Sequence, residues 1–168
     1  VLAMLVSGLS GFSGGMLAPA LPIYAGTPGY GTSAAGSIVA AATFLSMFGR
    51  GLCGGWADRM SRKIILSISL LTAAGSFLLF CIAKNLPMLM LAQYLQGVAT
   101  GITITVLSTV AYDALPPALL GSGIGIYSLA SLLAQCIAPS AGTSLASSGR
   151  YTLLFLFAAA ALLCSFLV

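Results

Sequence analysis

The residues best suited to chemistry in this sequence are its few charged ones, and they are concentrated in one short stretch. The chain has 168 residues but only six Lys or Arg and two Asp or Glu. Half of these charges lie in the stretch GGWADRMSRK, residues 54–63: Asp58, Arg59, Arg62 and Lys63. A carboxylate beside several cations stays ionised and joins them in a network of ion pairs. The stretch is therefore a candidate electrostatic tie.

Groups that usually perform catalysis or bind metals are scarce. The chain has no His, and both of its acids are Asp. A zinc or haem site, or an acid pair for general acid–base catalysis, would be hard to build from this set. We therefore predict that the protein is not an enzyme and has no metal site and no cofactor. The cysteines lie in or beside apolar runs, and we interpret them as packing residues: Cys53, Cys81, Cys136 and Cys164.

Composition indicates an integral membrane protein, with the lipid bilayer as its surroundings. Hydrophobic residues make up 60% of the chain and charged residues 5%, whereas about a quarter of the residues in soluble domains are charged. A signal peptide before a soluble domain does not fit, because the apolar character continues to the last residue. The net charge of +4 is spread over membrane-edge loops, so we predict no nucleic-acid partner.

The apolar residues fall into six segments, each about long enough to cross a bilayer as a helix. Lipid offers no partner to free backbone groups, and the runs lack the alternation of barrel strands, so each segment is predicted to be helical. The third and sixth are the most uniformly apolar and are expected to face lipid. The other four are expected to pack around a common interior. The predicted spans are residues 1–24, 34–56, 64–83, 88–112, 124–145 and 151–168.

The distribution of cations predicts the orientation in the membrane. The turn after the second span carries three cations, whereas the loops on the opposite side carry Lys84 and Arg150. Loops rich in Lys and Arg remain on the cytoplasmic side. We therefore expect this turn, and both ends of the chain segment, to be cytoplasmic.

Polar side chains recur at helical spacing in several spans. In the fourth span, steps of three and four residues join Gln93, Gln96, Thr100 and Thr103. The fifth span has a similar stripe, and a weaker stripe of serines in the first span extends to Ser13. Amides at membrane depth are costly unless they are buried or hydrated. These polar stripes predict a substrate pathway. The alternative is that their side chains only form hydrogen bonds between helices. The predicted pathway residues are Ser10, Gln93, Gln96, Thr100, Tyr127, Ser131 and Gln135.

The charged stretch resembles the signature loop of the major facilitator superfamily, whose pattern is G-x-L-A-D-R-x-G-R-K. It also lies where that family has the loop, between the second and third spans. Trp56 replaces the usual Leu, and Ser61 replaces the second Gly. The matching residues are Gly54, Ala57, Asp58, Arg59, Arg62 and Lys63.

Two further stretches resemble motifs of the same family. QYLQGVATG in the fourth span is similar to R-x-x-Q-G-x-x-x-G, although Gln93 stands where Arg is usual. The end of the fifth span is similar to the antiporter pattern G-P-x-x-G, with Ala138 for the first Gly. In that pattern Pro139 removes a backbone donor and bends the helix, and Gly142 allows close approach of another backbone. The resemblance thus implies a helix-packing hinge at Pro139 and Gly142.

The resemblance implies half of a transporter. Members of the family have about twelve spans in two six-span halves and work by alternating access. This chain resembles the N-terminal half, in which spans one to three relate to spans four to six as an inverted repeat. The other half would belong to the same chain or to a second copy. The resemblance also implies a cytoplasmic gate, with Arg62 reaching Asp113: Gly54, Asp58, Arg59, Arg62, Lys63 and Asp113.

The stretch LAPALPIY of the first span, residues 17–24, and the R-x-x-x-G spacing of Arg50 and Gly54 resemble bacterial multidrug and small-metabolite exporters. They imply export of a small organic molecule across the bacterial cytoplasmic membrane. No acid lies at mid-membrane depth, so the proton carrier of a proton-coupled transporter would lie outside this chain. A passive facilitator or channel, and a membrane scaffold that keeps the fold without transport, remain alternatives.

Overall fold

The computed structural model describes residues 2–26, 31–57, 61–83, 85–116 and 119–167. These residues form an all-helical bundle. Within them, five helices are long and apolar enough to cross a membrane, and the sixth is shorter. The helices are α1 (Leu2–Gly26), α2 (Gly31–Ala57), α3 (Arg62–Ile82), α4 (Leu86–Asp113), α5 (Leu120–Ser147) and α6 (Tyr151–Leu167).

The helix ends differ from the predicted spans by up to four residues, because a helix continues beyond its apolar stretch. We predicted a break at residues 84–87, but α4 begins at Leu86 and contains Pro87 in its first turn. Proline is tolerated there because the first backbone N–H groups of a helix have no partner within it. We predicted that the fifth span begins at residue 124, but α5 begins at Leu120 and includes two further glycines.

A local backbone motif ends α5. Gly149 has φ = 68°, a left-handed conformation that glycine adopts without a steric penalty. The N–H of Gly149 donates to the Ala146 carbonyl at 3.0 Å, and the N–H of Arg150 donates to the Leu145 carbonyl at 3.2 Å. This paired arrangement satisfies the last carbonyls of a helix, so α6 begins at once, at Tyr151.

The helix contacts have the symmetry of an inverted repeat. α1 packs against α5, and α2 packs against α4. α3 packs on α4 and α6, while α6 packs on α1. Exchanging α1 with α4, α2 with α5 and α3 with α6 reproduces this set of neighbours. The predicted fold of two three-helix repeats is therefore confirmed.

The two principal crossings bring backbones into contact at glycines. A Cβ atom at Gly97 of α4 would lie 2.5 Å from the Ala42 carbonyl oxygen of α2. A Cβ at Gly142 of α5 would similarly collide with the Met16 backbone of α1. Without a strong hydrophobic force between helices in lipid, such close packing is a main source of association.

α3 and α6 form the outer layer, as predicted. Phe77 and Phe80 of α3 are fully buried, and the ring of Phe80 stacks on Phe155 of α6 with centroids 5.2 Å apart. The opposite face of α3 is apolar and exposed, for example at Ile68 and Leu78. α3 and α6 thus support the other four helices from outside.

Candidate functional site

A cavity of about 710 Å³ lies between α1, α2, α4 and α5. α3 and α6 contribute one lining residue each, Ala73 and Leu162. None of the lining residues is charged among those the structure describes. The four helices that the sequence marked as polar thus surround one uncharged space, which is large enough for a small organic molecule.

The structure brings every residue of the predicted pathway to the wall of this cavity. Most are half-buried or buried, and Gln135 is exposed. That these residues contact a transported molecule stays a prediction. Residues placed on the wall are Ser10, Gln93, Gln96, Thr100, Tyr127, Ser131 and Gln135.

The second span was expected to border the interior, but its individual wall residues on α2 were not predicted from the sequence. Thr43 and Ser46 line the cavity, and each hydroxyl donates to a carbonyl of its own helix, at 3.0 Å and 2.7 Å. The lining residues 39, 42, 43 and 46 recur at steps of three and four, and this helical spacing could have identified the cavity-facing side of α2.

Two residues of the α4 stripe bond to the outer helix α3. The Ser76 hydroxyl donates to the Gln96 amide oxygen at 2.5 Å, and the Thr103 hydroxyl donates to the Ser69 hydroxyl oxygen at 2.9 Å. The partners are seven residues apart on each helix, so both bonds lie along one antiparallel seam. Gln96 and Thr103 therefore line the cavity and also join α4 to α3.

The two remaining amides of the pathway differ in their hydrogen bonds. Gln135 donates from its amide nitrogen to the Ser131 hydroxyl one turn earlier on α5, at 3.1 Å. Gln93 is buried, and its amide oxygen has no hydrogen-bond partner among the described residues. Most buried polar atoms in folded proteins are hydrogen-bonded, so this buried oxygen is an exception.

The serine stripe of α1 divides between two faces. Ser7 and Ser10 line the cavity. Ser13 does not: it is fully buried and donates to the Ala158 carbonyl of α6 at 3.1 Å. Placing Ser13 with the other serines was wrong, because two three-residue steps rotate a helix by about 600° and so shift the face by about 120°.

Near one end of the bundle, the Arg62 guanidinium is paired with the Asp113 carboxylate. Their side chains are 42% and 54% exposed. The expected contact is thus present, while its role as a gate stays a prediction. Asp58 and Arg59 lie outside the described residues. Lys63 and Gly54 are both exposed at this end of α3 and α2.

The positions of the two paired charges do not favour their own helices. Arg62 is the first residue of α3, and Asp113 is the last residue of α4. A helix has a partial positive charge at its start and a partial negative charge at its end. Each side chain therefore meets a like partial charge in its own helix. The attraction between Arg62 and Asp113, which lie on different helices, offsets these two unfavourable interactions.

The motif at the end of α5 is a packing site. Pro139 lies inside α5, which continues to Ser147. A Cβ at Gly15 of α1 would lie 2.8 Å from the Ala138 Cβ, so the α1–α5 contact includes Ala138 as well as Gly142. Movement about Pro139 and Gly142 as a hinge stays a prediction.

The comparison with protein families identifies the family to which the chain belongs. The family described as Major Facilitator Superfamily matches residues 3–168. The chain belongs to the major facilitator superfamily. The cavity and the Arg62–Asp113 pair are therefore features of a member of this superfamily of membrane transport proteins.

Two curated superfamily members are similar over part of the chain. Quinolone resistance protein NorA of Staphylococcus aureus is 31% identical over 87 residues, which cover 52% of this chain and 22% of the relative. The 4-hydroxybenzoate transporter PcaK of Acinetobacter baylyi is 34% identical over 100 residues, which cover 60% of this chain and 21% of the relative. Each match thus spans about a fifth of the relative.

A solved superfamily structure matches almost the entire fold. The human organic anion transporter MFSD10 (TETRAN) has a TM-score of 0.79 with 19% sequence identity. The match covers 99% of this chain and 46% of that protein. The six-helix bundle thus corresponds in fold to about half of a solved transporter.

Proposed function

We propose that this bundle is the N-terminal half of a secondary active transporter that exports a small organic molecule by alternating access. The observation that carries the proposal is the cavity between α1, α2, α4 and α5. Its wall combines amide and hydroxyl groups with apolar side chains and, within the described residues, has no charge. Such a wall favours a neutral molecule, or one with balanced charges, over a strongly charged one.

A second six-helix half is part of the proposal. Large apolar side chains are exposed on α2 and α5, including Phe44, Met47, Leu133 and Ile137, which are 61–66% exposed. These two helices border the cavity, so a second half that covers them would also enclose it. The second half comes either from the same polypeptide or from another copy of this one. The 46% coverage of the solved transporter supports a second half of similar size.

Export and coupling to protons form the finer part of the proposal. Partial similarity to a quinolone resistance protein supports export, and similarity to a 4-hydroxybenzoate transporter makes uptake the second candidate. None of the predicted gate residues that the structure describes lies on the cavity wall; these are Gly54, Arg62, Lys63 and Asp113. If protons drive transport, we expect the titrating group in the second half.

The proposed location is the bacterial cytoplasmic membrane, with the Arg62–Asp113 end facing the cytoplasm. The supporting observation is the concentration of Arg and Lys in residues 59–63. The gate residues at this end are proposed to hold the cytoplasmic side closed: Gly54, Asp58, Arg59, Arg62, Lys63 and Asp113.

Transport by the purified full-length protein in proteoliposomes tests the function. The probes are norfloxacin, a fluorescent quinolone, and radiolabelled 4-hydroxybenzoate. Each is measured with an imposed proton gradient, with the gradient collapsed by an uncoupler, and in protein-free liposomes. Proton-coupled export predicts that vesicles acidic inside accumulate a probe against its concentration gradient, and that the uncoupler abolishes this accumulation.

The same assay separates the alternatives. A passive facilitator would equilibrate the probe without accumulating it, whether or not a gradient is present. A scaffold would give the same rate as protein-free liposomes. Accumulation in vesicles that are alkaline inside would instead indicate uptake by proton symport.

A further inference from the structure

The hydroxyl groups on the cavity wall differ in whether their hydrogen is already used. On α5, the hydroxyls of Tyr127, Ser128 and Ser131 line the cavity and have no acceptor among the described residues. α5 thus contributes more free hydroxyl donors to the wall than α2 and α4 do. Each hydroxyl that α2 and α4 contribute already donates to a group of the protein: Thr43, Ser46, Thr100, Thr103 and Ser108.

The three amides of the wall differ in a similar way at their oxygens. The Gln93 oxygen is buried, and the Gln96 oxygen accepts from Ser76 in the α3–α4 interface. Gln135, in contrast, is an exposed residue. Its amide nitrogen donates to the Ser131 hydroxyl at 3.1 Å, and its oxygen has no donor in the part of the chain that the structure describes. Gln135 is therefore the wall amide that combines an exposed side chain with an unpaired oxygen.

Packing against α1 holds this side chain at the wall. A Cβ atom built at Gly11 would lie 3.7 Å from the Gln135 Cγ and 3.1 Å from the Ser131 Oγ, so both side chains lie against the bare backbone of Gly11. Leu133 and Ile137, which a second half would cover, are each two residues from Gln135. Two residues turn a helix by about 200°. Cover over Leu133 and Ile137 therefore leaves Gln135 on the cavity side of α5.

We propose that Ser131 and Gln135 form the specificity subsite of this cavity and bind a neutral carboxamide group of the ligand. An amide side chain has two N–H donors and an oxygen acceptor. Ser131 uses one N–H of Gln135, so the other N–H and the oxygen remain for a ligand. A carboxamide matches both, because it presents its own N–H beside its own oxygen. This inference rests on the proposed function, since it concerns the molecule that the cavity carries.

Binding of matched ligands to the purified full-length protein tests the subsite. The probes are benzamide and 1-naphthamide, each paired with the methyl ketone of the same ring, in which a methyl group replaces the amide nitrogen and its hydrogens. Dissociation constants are measured by titration calorimetry in detergent, and the readout is the ratio of the ketone constant to the amide constant. The ketone leaves the Gln135 oxygen unpaired, and a site that hydrogen-bonds a group discriminates against the analogue without it.

Two substitutions locate the source of this ratio. Gln135→Met keeps the length of the side chain and removes the amide, so the ratio should fall about tenfold from its wild-type value. Ser131→Ala keeps the amide and removes the hydroxyl that positions it, so the ratio should fall by a smaller factor, about threefold.

The control is Ser140→Ala. Ser140 is an exposed residue of α5 that does not line the cavity, and its hydroxyl donates to the Ile137 carbonyl at 2.7 Å. The wild-type ratio should persist in this variant. Because each probe enters detergent equally in all samples, comparing ratios between variants cancels that contribution. A thermal unfolding scan establishes that each variant is folded.

Three outcomes would overturn the inference: an unchanged ratio in Gln135→Met or Ser131→Ala, an equal fall in Ser140→Ala, or no binding of either amide to the wild type. Its failure is distinguishable from failure of the proposed function. If the ratio is unchanged while norfloxacin or 4-hydroxybenzoate is transported in proteoliposomes, the subsite assignment is wrong and the transport function stands. If the ratio falls as expected and neither compound is transported, the subsite stands and the transport proposal fails.

Discussion

The Arg62 guanidinium at the first residue of α3 pairs with the Asp113 carboxylate at the last residue of α4. Both charges stand at the end of the helix where the macrodipole disfavours them. Helix stability does not account for their positions, whereas attraction between the two helices does. The position of the pair is consistent with an ion pair that can break and re-form. Breaking it leaves two charges at one end of the bundle, each unfavourable in its own helix.

We predict that the two charges act as a unit in transport. Both side chains are about half exposed, so solvent screening limits the interaction to roughly 0–1 kcal/mol, equivalent to at most about a fivefold change in an equilibrium. Arg62→Gln and Asp113→Asn should each lower the transport rate of the full-length protein by up to about fivefold. The double variant should be no slower than the slower single variant.

The control for the ion pair is Arg150→Gln. Arg150 is an exposed cation in the turn between α5 and α6, so its neutralisation should leave the rate unchanged. Additive losses in the double variant, or equal losses in Arg150→Gln, would show that general charge matters rather than this pair. Protein levels in the membrane, measured by immunoblot, should be the same for all variants.

The orientation of the bundle can be measured by cysteine labelling. Ser61 precedes α3, and Ser148 follows α5 at the opposite end; both are exposed. In a variant with its native cysteines replaced, Ser148→Cys should react with a membrane-impermeant maleimide in intact cells. Ser61→Cys should react only after the membrane is permeabilised. The reverse pattern would place the Arg62–Asp113 end outside the cell.

Backbone contact at the α2–α4 crossing predicts a large effect from a small substitution. Gly97→Ala would place its Cβ 2.5 Å from the Ala42 carbonyl oxygen, so the helices must separate. Overpacking of this kind costs about 1–3 kcal/mol, and thermal unfolding in detergent should show a lower midpoint. Gly125→Ala is the control, because nothing lies within 4 Å of the added Cβ. Equal midpoints for the two variants would contradict the close packing.

The six helices, and the placement of α3 and α6 outside the other four, could be predicted from the sequence. The bilayer sets both the length of each span and the composition of the surface that faces lipid. The position of Gln93, Gln96 and Thr100 on one face follows from their spacing. Their hydrogen bonds do not, because these depend on the rotation of α4 relative to α3. The partnership of Gln96 with Ser76, and of Ser13 with Ala158, therefore required the structure. The Arg62–Asp113 contact was predictable because the family resemblance supplied the pairing.

The central claim is that the cavity between α1, α2, α4 and α5 is the route of the transported molecule. Two glycines provide a matched test, because a Cβ added at either would meet nothing within 4 Å. Gly14 of α1 lines the cavity, whereas Gly75 of α3 is exposed on the outer layer. Gly14→Trp should fill the cavity, and Gly75→Trp should point an indole toward lipid.

The decisive measurement is the rate of norfloxacin and 4-hydroxybenzoate transport by these two full-length variants in proteoliposomes, at matched protein density. The account predicts that Gly14→Trp reduces the rate at least about tenfold, as expected when bulk occupies a binding pocket, while Gly75→Trp transports at the wild-type rate. A folded Gly14→Trp variant that transports at the wild-type rate would contradict it.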